Sequence, residues 1–120
     1  MNKNKKNSDN IFEKEILPKL SGLLDLKKTE LHIYNLLRNA EKPMLVTEIC
    51  KNLNASRRLI QDYVKDLTER GFLKREIQEA GRLSYVYIAE PPLKVWKHLS
   101  KNLKKVMDEA NKALKINSIK

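Results

Sequence analysis

The side chains whose types and spacing can do chemistry lie between Ser56 and Lys65 and again around Arg82. At 100° per residue along a helix over 56–70, Arg58, Gln61, Asp62, Lys65 and Glu69 project to one side, and Ile60, Val64 and Leu67 to the other. An arginine fork can bond guanine O6 and N7 together, and a glutamine amide can do the same with adenine N6 and N7. Arg58 and Gln61 are therefore expected to read base edges. Ser56 and Arg57 at the helix start can meet phosphate through the hydroxyl, the guanidinium and free backbone N–H groups, with Lys65 further along the same wall. Asp62, central on this face, would accept from a cytosine amino group or be tied up by Arg58 one turn earlier, which argues against indiscriminate phosphate binding.

A charged helix face is more often plain solvated surface, so its meaning depends on the elements that position it. Thr47 and Glu48 can start a helix through Leu53 whose buried side holds Ile49, Cys50 and Leu53. Asn54 tolerates the left-handed backbone of a tight turn, Ser56 is a good N-cap for the next helix, running to Arg70, and Gly71 supplies its stop. Upstream, Lys28–Ala40 carries a broad apolar stripe (Leu31, Ile33, Tyr34, Leu36, Leu37) with Thr29 and Glu30 in the first turn. Met44–Val46 is a scrap of strand.

Downstream, Phe72–Ile77 and Ser84–Ala89 are β-prone runs around a loop with Gly81 at its tip, which reads as a hairpin. Arg82 and Ser84 sit near that tip, and Lys74 and Arg75 near its base, where a wing over 78–84 can meet the minor groove or its phosphates. Tyr85 and Tyr87 share one strand face and are read as packing residues. Helix, short strand, helix, tight turn, helix and hairpin is the order of a winged helix-turn-helix, mainly α with a small β-hairpin in an α+β arrangement.

The flanks complete the organisation. Residues 1–9 are polar and Lys/Asn-rich and read as a disordered arm; Phe12 to Leu24 has helix-like apolar spacing around Pro18; residues 10–90 form the winged domain. Over 91–120 a long helix carries Trp96, Leu99, Leu103, Val106 and Ala110 at alternating spacings of three and four. A lone helix cannot bury such a seam, so a homodimer is expected through it, with Trp96 also anchoring the helix to the winged body. Between Leu93 and about Ile116, seven lysines against Asp108 and Glu109 should make two such helices repel, leaving apolar burial to hold them.

The chain of 120 residues fits one domain, and its net charge of +10, concentrated after residue 90, suits a polyanionic partner, here double-stranded DNA. Cys50 is the single cysteine, and His32 and His98 stand alone, so neither a disulfide nor a metal site is expected. No carboxylate pair, nucleophile motif or glycine-rich phosphate loop points to catalysis, so no catalytic residue, cofactor or enzyme activity is expected. No run approaches the ~20 apolar residues of a membrane span. The expected setting is cytoplasmic and nucleoid-associated, and no small-molecule effector can be inferred.

Leu26-Lys-Lys-Thr-Glu followed by Tyr34 resembles the opening helix of archaeal TrmB-type regulators. Val46-Thr-Glu-Ile-Cys-Lys-Asn-Leu-Asn-Ala-Ser-Arg-Arg through Leu67-Thr-Glu-Arg-Gly-Phe-Leu is similar to the helix-turn-helix those proteins share with MarR-like regulators. The resemblance covers about residues 24–90. It implies that Cys50 fills a small buried slot usually held by Ala, that Asn54 replaces the turn Gly, and that Ser56 caps the recognition helix. The large sugar-binding domain of full TrmB proteins is absent, and the compact wing with a terminal coiled coil is more similar to small Lrs-type archaeal regulators, which are dimers. The function implied is a sequence-preferring, dimeric transcriptional regulator. The alternative is a winged-helix module that binds protein rather than DNA.

Overall fold

The computed structural model describes residues 7–79 and 81–115. Among them the order is α1 (Asn7–Ile11), a π-helical turn over Phe12–Ile16, α2 (Leu17–Leu24), α3 (Lys28–Ala40), β1 (Met44–Leu45), α4 (Val46–Leu53), α5 (Arg57–Glu69), β2 (Leu73–Glu79), β3 (Leu83–Ala89) and α6 (Pro92–Leu114). Two helices open on the same local device. Glu30 Oε1 accepts from Lys27 N at 2.9 Å and Glu48 Oε1 from Leu45 N at 2.8 Å, so an acid in the first turn satisfies a backbone donor that the helix cannot.

The periodic stripes of α3, α4 and α5 converge on one core. Ile33, Tyr34, Ile49, Ile60, Val64, Leu67, Phe72 and Val95 are all but inaccessible to solvent. Tyr34 meets the edge of Phe72 with ring centroids 5.6 Å apart, and its hydroxyl donates to the Glu90 carbonyl at 2.8 Å, so the polar tip of a buried ring is satisfied. On the helical N-terminal side, Arg38 of α3 bridges Asp9 and Glu13.

The hairpin is joined by β1 into an antiparallel sheet of order β1-β3-β2, with Met44 opposite Tyr87, Leu45 opposite Val86 and Ile77 opposite Tyr85. Three helices, the tight turn between α4 and α5, and this sheet make a winged helix-turn-helix, with the long α6 appended.

Four expectations change. Asn7, Ser8 and Asp9, expected in a disordered arm, are helical, because Asp9 finds Arg38; the rest of that arm, and residues 116–120 of the expected C-terminal segment, lie outside the described residues. The strands run closer to the tip than expected, with Gln78 opposite Ser84 and Glu79 opposite Leu83, because Gly81 at φ +84° turns the chain sharply. Cys50 and Leu53 are half-buried rather than buried. Trp96 does not anchor α6: it is 44% exposed, whereas Val95 is fully buried and Leu99 packs against the core. The anchor on α6 is thus Val95, one residue or ~100° from Trp96, while Leu99 of the expected seam packs against the body.

Gly71 is where α6 closes on the body. It leaves α5 at φ +89°, and a Cβ there would come within 2.5 Å of His98 Cγ. Gly71→Ala should cost about 1–3 kcal/mol, part backbone strain and part collision. The double variant Gly71→Ala, His98→Ala should recover only the part of the collision made by the imidazole ring, because the Cβ of residue 98 would still lie 2.9 Å away. Urea midpoints of the three proteins check this, and an unchanged midpoint for the single variant would contradict the packing described.

Candidate nucleic-acid interface

The helix-turn-helix is set by two residues with opposite backbone demands. Asn54 ends α4 in the left-handed region at φ 51°, ψ 50°, and Ser56, extended at φ −70°, ψ 150°, caps α5 by accepting from Leu59 N at 3.2 Å. Because Ser56 Oγ accepts, its own hydrogen stays available to donate. Ile60, Val64 and Leu67 face the core, so Arg57, Arg58, Gln61, Asp62, Lys65 and Glu69 are exposed together with Ser56. Among the described residues no ion pair joins Asp62 to Arg58, and none occupies Arg57, Lys65 or Arg82.

Behind α5 lies a polar tie that its hydrophobic pattern does not announce. Glu30 of α3 is only 2% exposed; one oxygen caps its own helix, and Oε2 has no donor. It faces Asp66 of α5, also a carboxyl, so a hydrogen bond between them needs a shared proton. Burial, reinforced by Asp66, pushes Glu30 up from 4.5 to about 7. The hydrogen bond from Glu30 holds Asp66 below the usual carboxylate range, helped by Arg70, whose Nε lies 3.1 Å from Asp66 Oδ2. Arg70 Nη1 also donates to the Leu24 carbonyl at 2.6 Å. The chain Leu24–Arg70–Asp66–Glu30 therefore ties α5 to α2 and α3 on the side away from its exposed face.

Between the start of α5, the start of α4 and the wing is an open groove of about 440 Å³. Arg57, Gln61, Arg82 and Ser84 line it, so the fold brings together four of the seven residues expected to contact DNA. Ser56 stands exposed at the helix start, while Arg58 and Lys65 lie outside the groove on the outer surface of α5. Thr47, whose place at a helix start is all that its sequence neighbours suggest, also lines the groove. No spacing rule could have found it, because the pairing of β1 with β3 is what brings Thr47 to the wing. On the wing, the Arg75 guanidinium sits 4.3 Å above the Tyr85 ring, and Lys74 pairs with Glu76 at 3.3 Å, so the two cations at its base are already engaged. Exposed apolar side chains, Ile77 and Leu83, stand near its tip.

Among the described residues no cluster of three His, Cys, Asp or Glu could hold a metal ion, and no helix is long and apolar enough to cross a membrane. Residues 29–80 match the family described as an HTH domain, the stretch from α3 through β2. A solved structure described as a possible transcriptional regulator from Methanosarcina mazei Go1 is 21% identical, with 84% of this chain and 87% of that one covered at a TM-score of 0.66. A MarR-like transcriptional regulator from Thermotoga maritima is 19% identical, with 82% and 81% covered at a TM-score of 0.48. No curated protein matches the chain. The first of these structures shares the fold over most of the chain.

The carboxyl pair makes stability depend on pH in a definite direction. Glu30 binds its proton more tightly in the folded chain than in the unfolded one. The gain is therefore complete below about 4.5 and lost as pH rises to about 7. Asp66, held low, has the opposite dependence but only at and below the ordinary carboxylate range. Between about pH 5 and pH 8 the wild-type chain should lose on the order of 1–3 kcal/mol. Glu30→Gln keeps the acceptor for Lys27 N and gives Asp66 a permanent donor, so its stability should be flat over that range and exceed wild type at the upper end. Urea unfolding at both pH values measures this; a parallel loss in the variant would remove the shared proton from the account.

Proposed function

We propose that this chain is a dimeric, sequence-preferring, double-stranded DNA-binding transcription regulator. The observation that carries the reading is the face of α5: Arg57, Arg58, Gln61 and Lys65 are exposed and free of ion pairs, one wall away from a wing presenting Arg82. In this reading α5 enters the major groove, Arg58 bonds guanine, Gln61 bonds adenine, and Ser56, Arg57 and Lys65 hold phosphates. Arg82 and Ser84 follow the minor groove or its backbone. Thr47 adds a hydroxyl to the same phosphate wall. The HTH-domain match over 29–80 supports the reading, as does the shared fold with a structure described as a possible transcriptional regulator. Kinship with archaeal TrmB-type and small Lrs-type regulators, the cytoplasmic, nucleoid-associated setting and the domain limits 10–90 and 91–120 belong to the same proposal.

The homodimer is supported by α6. From Lys101 through Ala110 every residue is exposed, and Leu103 (56%) and Val106 (58%) continue the stripe that Val95 and Leu99 begin against the body. Trp96 and Ala110 flank that free stretch. The protein-binding alternative has one observation in its favour, the exposed Ile77 and Leu83 on the wing.

Titration with duplex DNA at two salt concentrations tests the reading, because affinity should fall steeply with salt. Arg58→Ala and Gln61→Ala should each cost about 1–3 kcal/mol on the preferred sequence and relax preference at one base pair. Lys65→Ala should weaken all sequences alike and lower the salt slope by about one. No salt-dependent binding by the wild-type chain would reject DNA in favour of the protein-binding alternative.

The double variant Leu103→Asp, Val106→Asp should sediment as a folded monomer. It should bind a duplex carrying two half-sites at least about tenfold more weakly than wild type, having lost the linked second contact. A dimer that survives both charges would move the contact off α6.

A further inference from the structure

The winged body takes the apolar side of α6 over its first turns, the free apolar stripe continues that side beyond them, and the lysines lie across the helix from both. On a helical projection, Val95, His98 and Leu99 face the body, and Leu103, Val106, Ala110 and Leu114 form the free stripe beyond them. Lys94, Lys97, Lys101, Lys104, Lys105 and Lys112 all fall within a sector of roughly 100° on the opposite side. All six are exposed, and among the described residues none is ion-paired to a carboxylate, even though Asp108 lies within their sector. At 1.5 Å per residue the row from Lys94 to Lys112 is roughly 27 Å long.

From this arrangement we propose that the lysine face of α6 is a second, sequence-independent DNA-backbone surface, separate from α5 and the wing, so that one dimer bridges two duplexes. The inference rests on the DNA-binding reading above. Charge complementarity selects the occupant: a rigid row of cations with no aromatic or amide side chain in the sector can neutralise phosphates but cannot read bases. Separation follows from where α6 is attached. His98 closes on Gly71 at the C-terminal end of α5, whereas the groove is built on Arg57 and Gln61 near its N-terminal end. The thirteen residues of α5 are roughly 20 Å long, so a duplex in the groove leaves the α6 row free. A bilayer fits less well. A helix lying on lipid buries its apolar side beneath the headgroups, and the first turns of α6 already spend that side on the protein core.

The test uses the full chain, an immobilised duplex and a fluorescent second duplex of unrelated sequence. Wild type should retain the second duplex at low salt and release it as salt rises. The variant Lys97→Gln, Lys101→Gln, Lys104→Gln, Lys105→Gln changes exposed helix positions only. It should bind the immobilised duplex within about threefold of wild type and retain at least about tenfold less of the second. Equal retention by the variant would overturn the assignment, since the two α5 faces of a dimer would then account for bridging. A wild-type chain that binds one duplex but captures no second overturns this inference and leaves the groove reading intact; one that binds neither overturns both. Flotation with phosphatidylserine–phosphatidylcholine vesicles, lost in the variant while duplex capture is absent throughout, would reassign the face to lipid.

Discussion

The rotation of α5 about its own axis is the constraint on which the rest depends. Ile60, Val64 and Leu67 fix it by burial, each contributing about 1.5–3 kcal/mol. An exposed ion pair on the other side contributes about 0–1 kcal/mol. The apolar seam therefore decides which residues face out, and the outward residues are released from any structural duty. That release is visible: Arg57, Arg58 and Lys65 have no acidic partner among the described residues, although Asp62 lies only one turn from Arg58. The carboxyl pair behind the helix adds direction to this seat. A seam of aliphatic side chains tolerates small rolls and slides, whereas the contacts of Arg70 with Asp66 and with the Leu24 carbonyl are made at one rotation only.

β3 does the corresponding work for the wing. It pairs on one side with β2, which makes the hairpin, and on the other with the two residues of β1, which join it to the start of α4. Without that second pairing the wing would be a two-stranded ribbon with no fixed relation to the helices, and such ribbons are barely stable alone. With it, Leu45 opposite Val86 sets the height of Thr47 against Ser84, and the groove that Arg57 and Gln61 share with Arg82 acquires a fixed width. A strand of two residues thus converts a helix-turn-helix and a hairpin into one concave surface.

The parts of this arrangement that obey local rules were legible in the chain. The period of Ile60, Val64 and Leu67, the left-handed turn at Asn54, the cap at Ser56 and the stop at Gly71 each depend on a few neighbouring residues, and the structure has all of them. What was not legible depends on tertiary packing. Glu30 looks like any first-turn acid, and nothing in the order of residues says that Asp66, thirty-six positions later, will press a second carboxyl against it. The exposure of Trp96 has a related cause. Its size made it the natural anchor, but the strand exit through Glu90 and Pro91 sets the phase of α6, and that phase buries the smaller Val95.

The same phase changes the electrostatics of the proposed pair. A count of six lysines against two acids on α6 suggests mutual repulsion, but a count ignores direction. The lysine sector lies across the helix from the stripe that would join two copies. Two helices packed through that stripe have axes about 8–10 Å apart and diameters of about 10–12 Å, which leaves their outward lysine heads roughly 20 Å or more apart. At physiological salt the screening length is about 8 Å, so repulsion across that distance is largely extinguished. Apolar pairing and dense positive charge are thus compatible on one helix because they are turned away from each other. The unspent charge then faces outward along the dimer, where its natural neighbour is a polyanion rather than the other subunit.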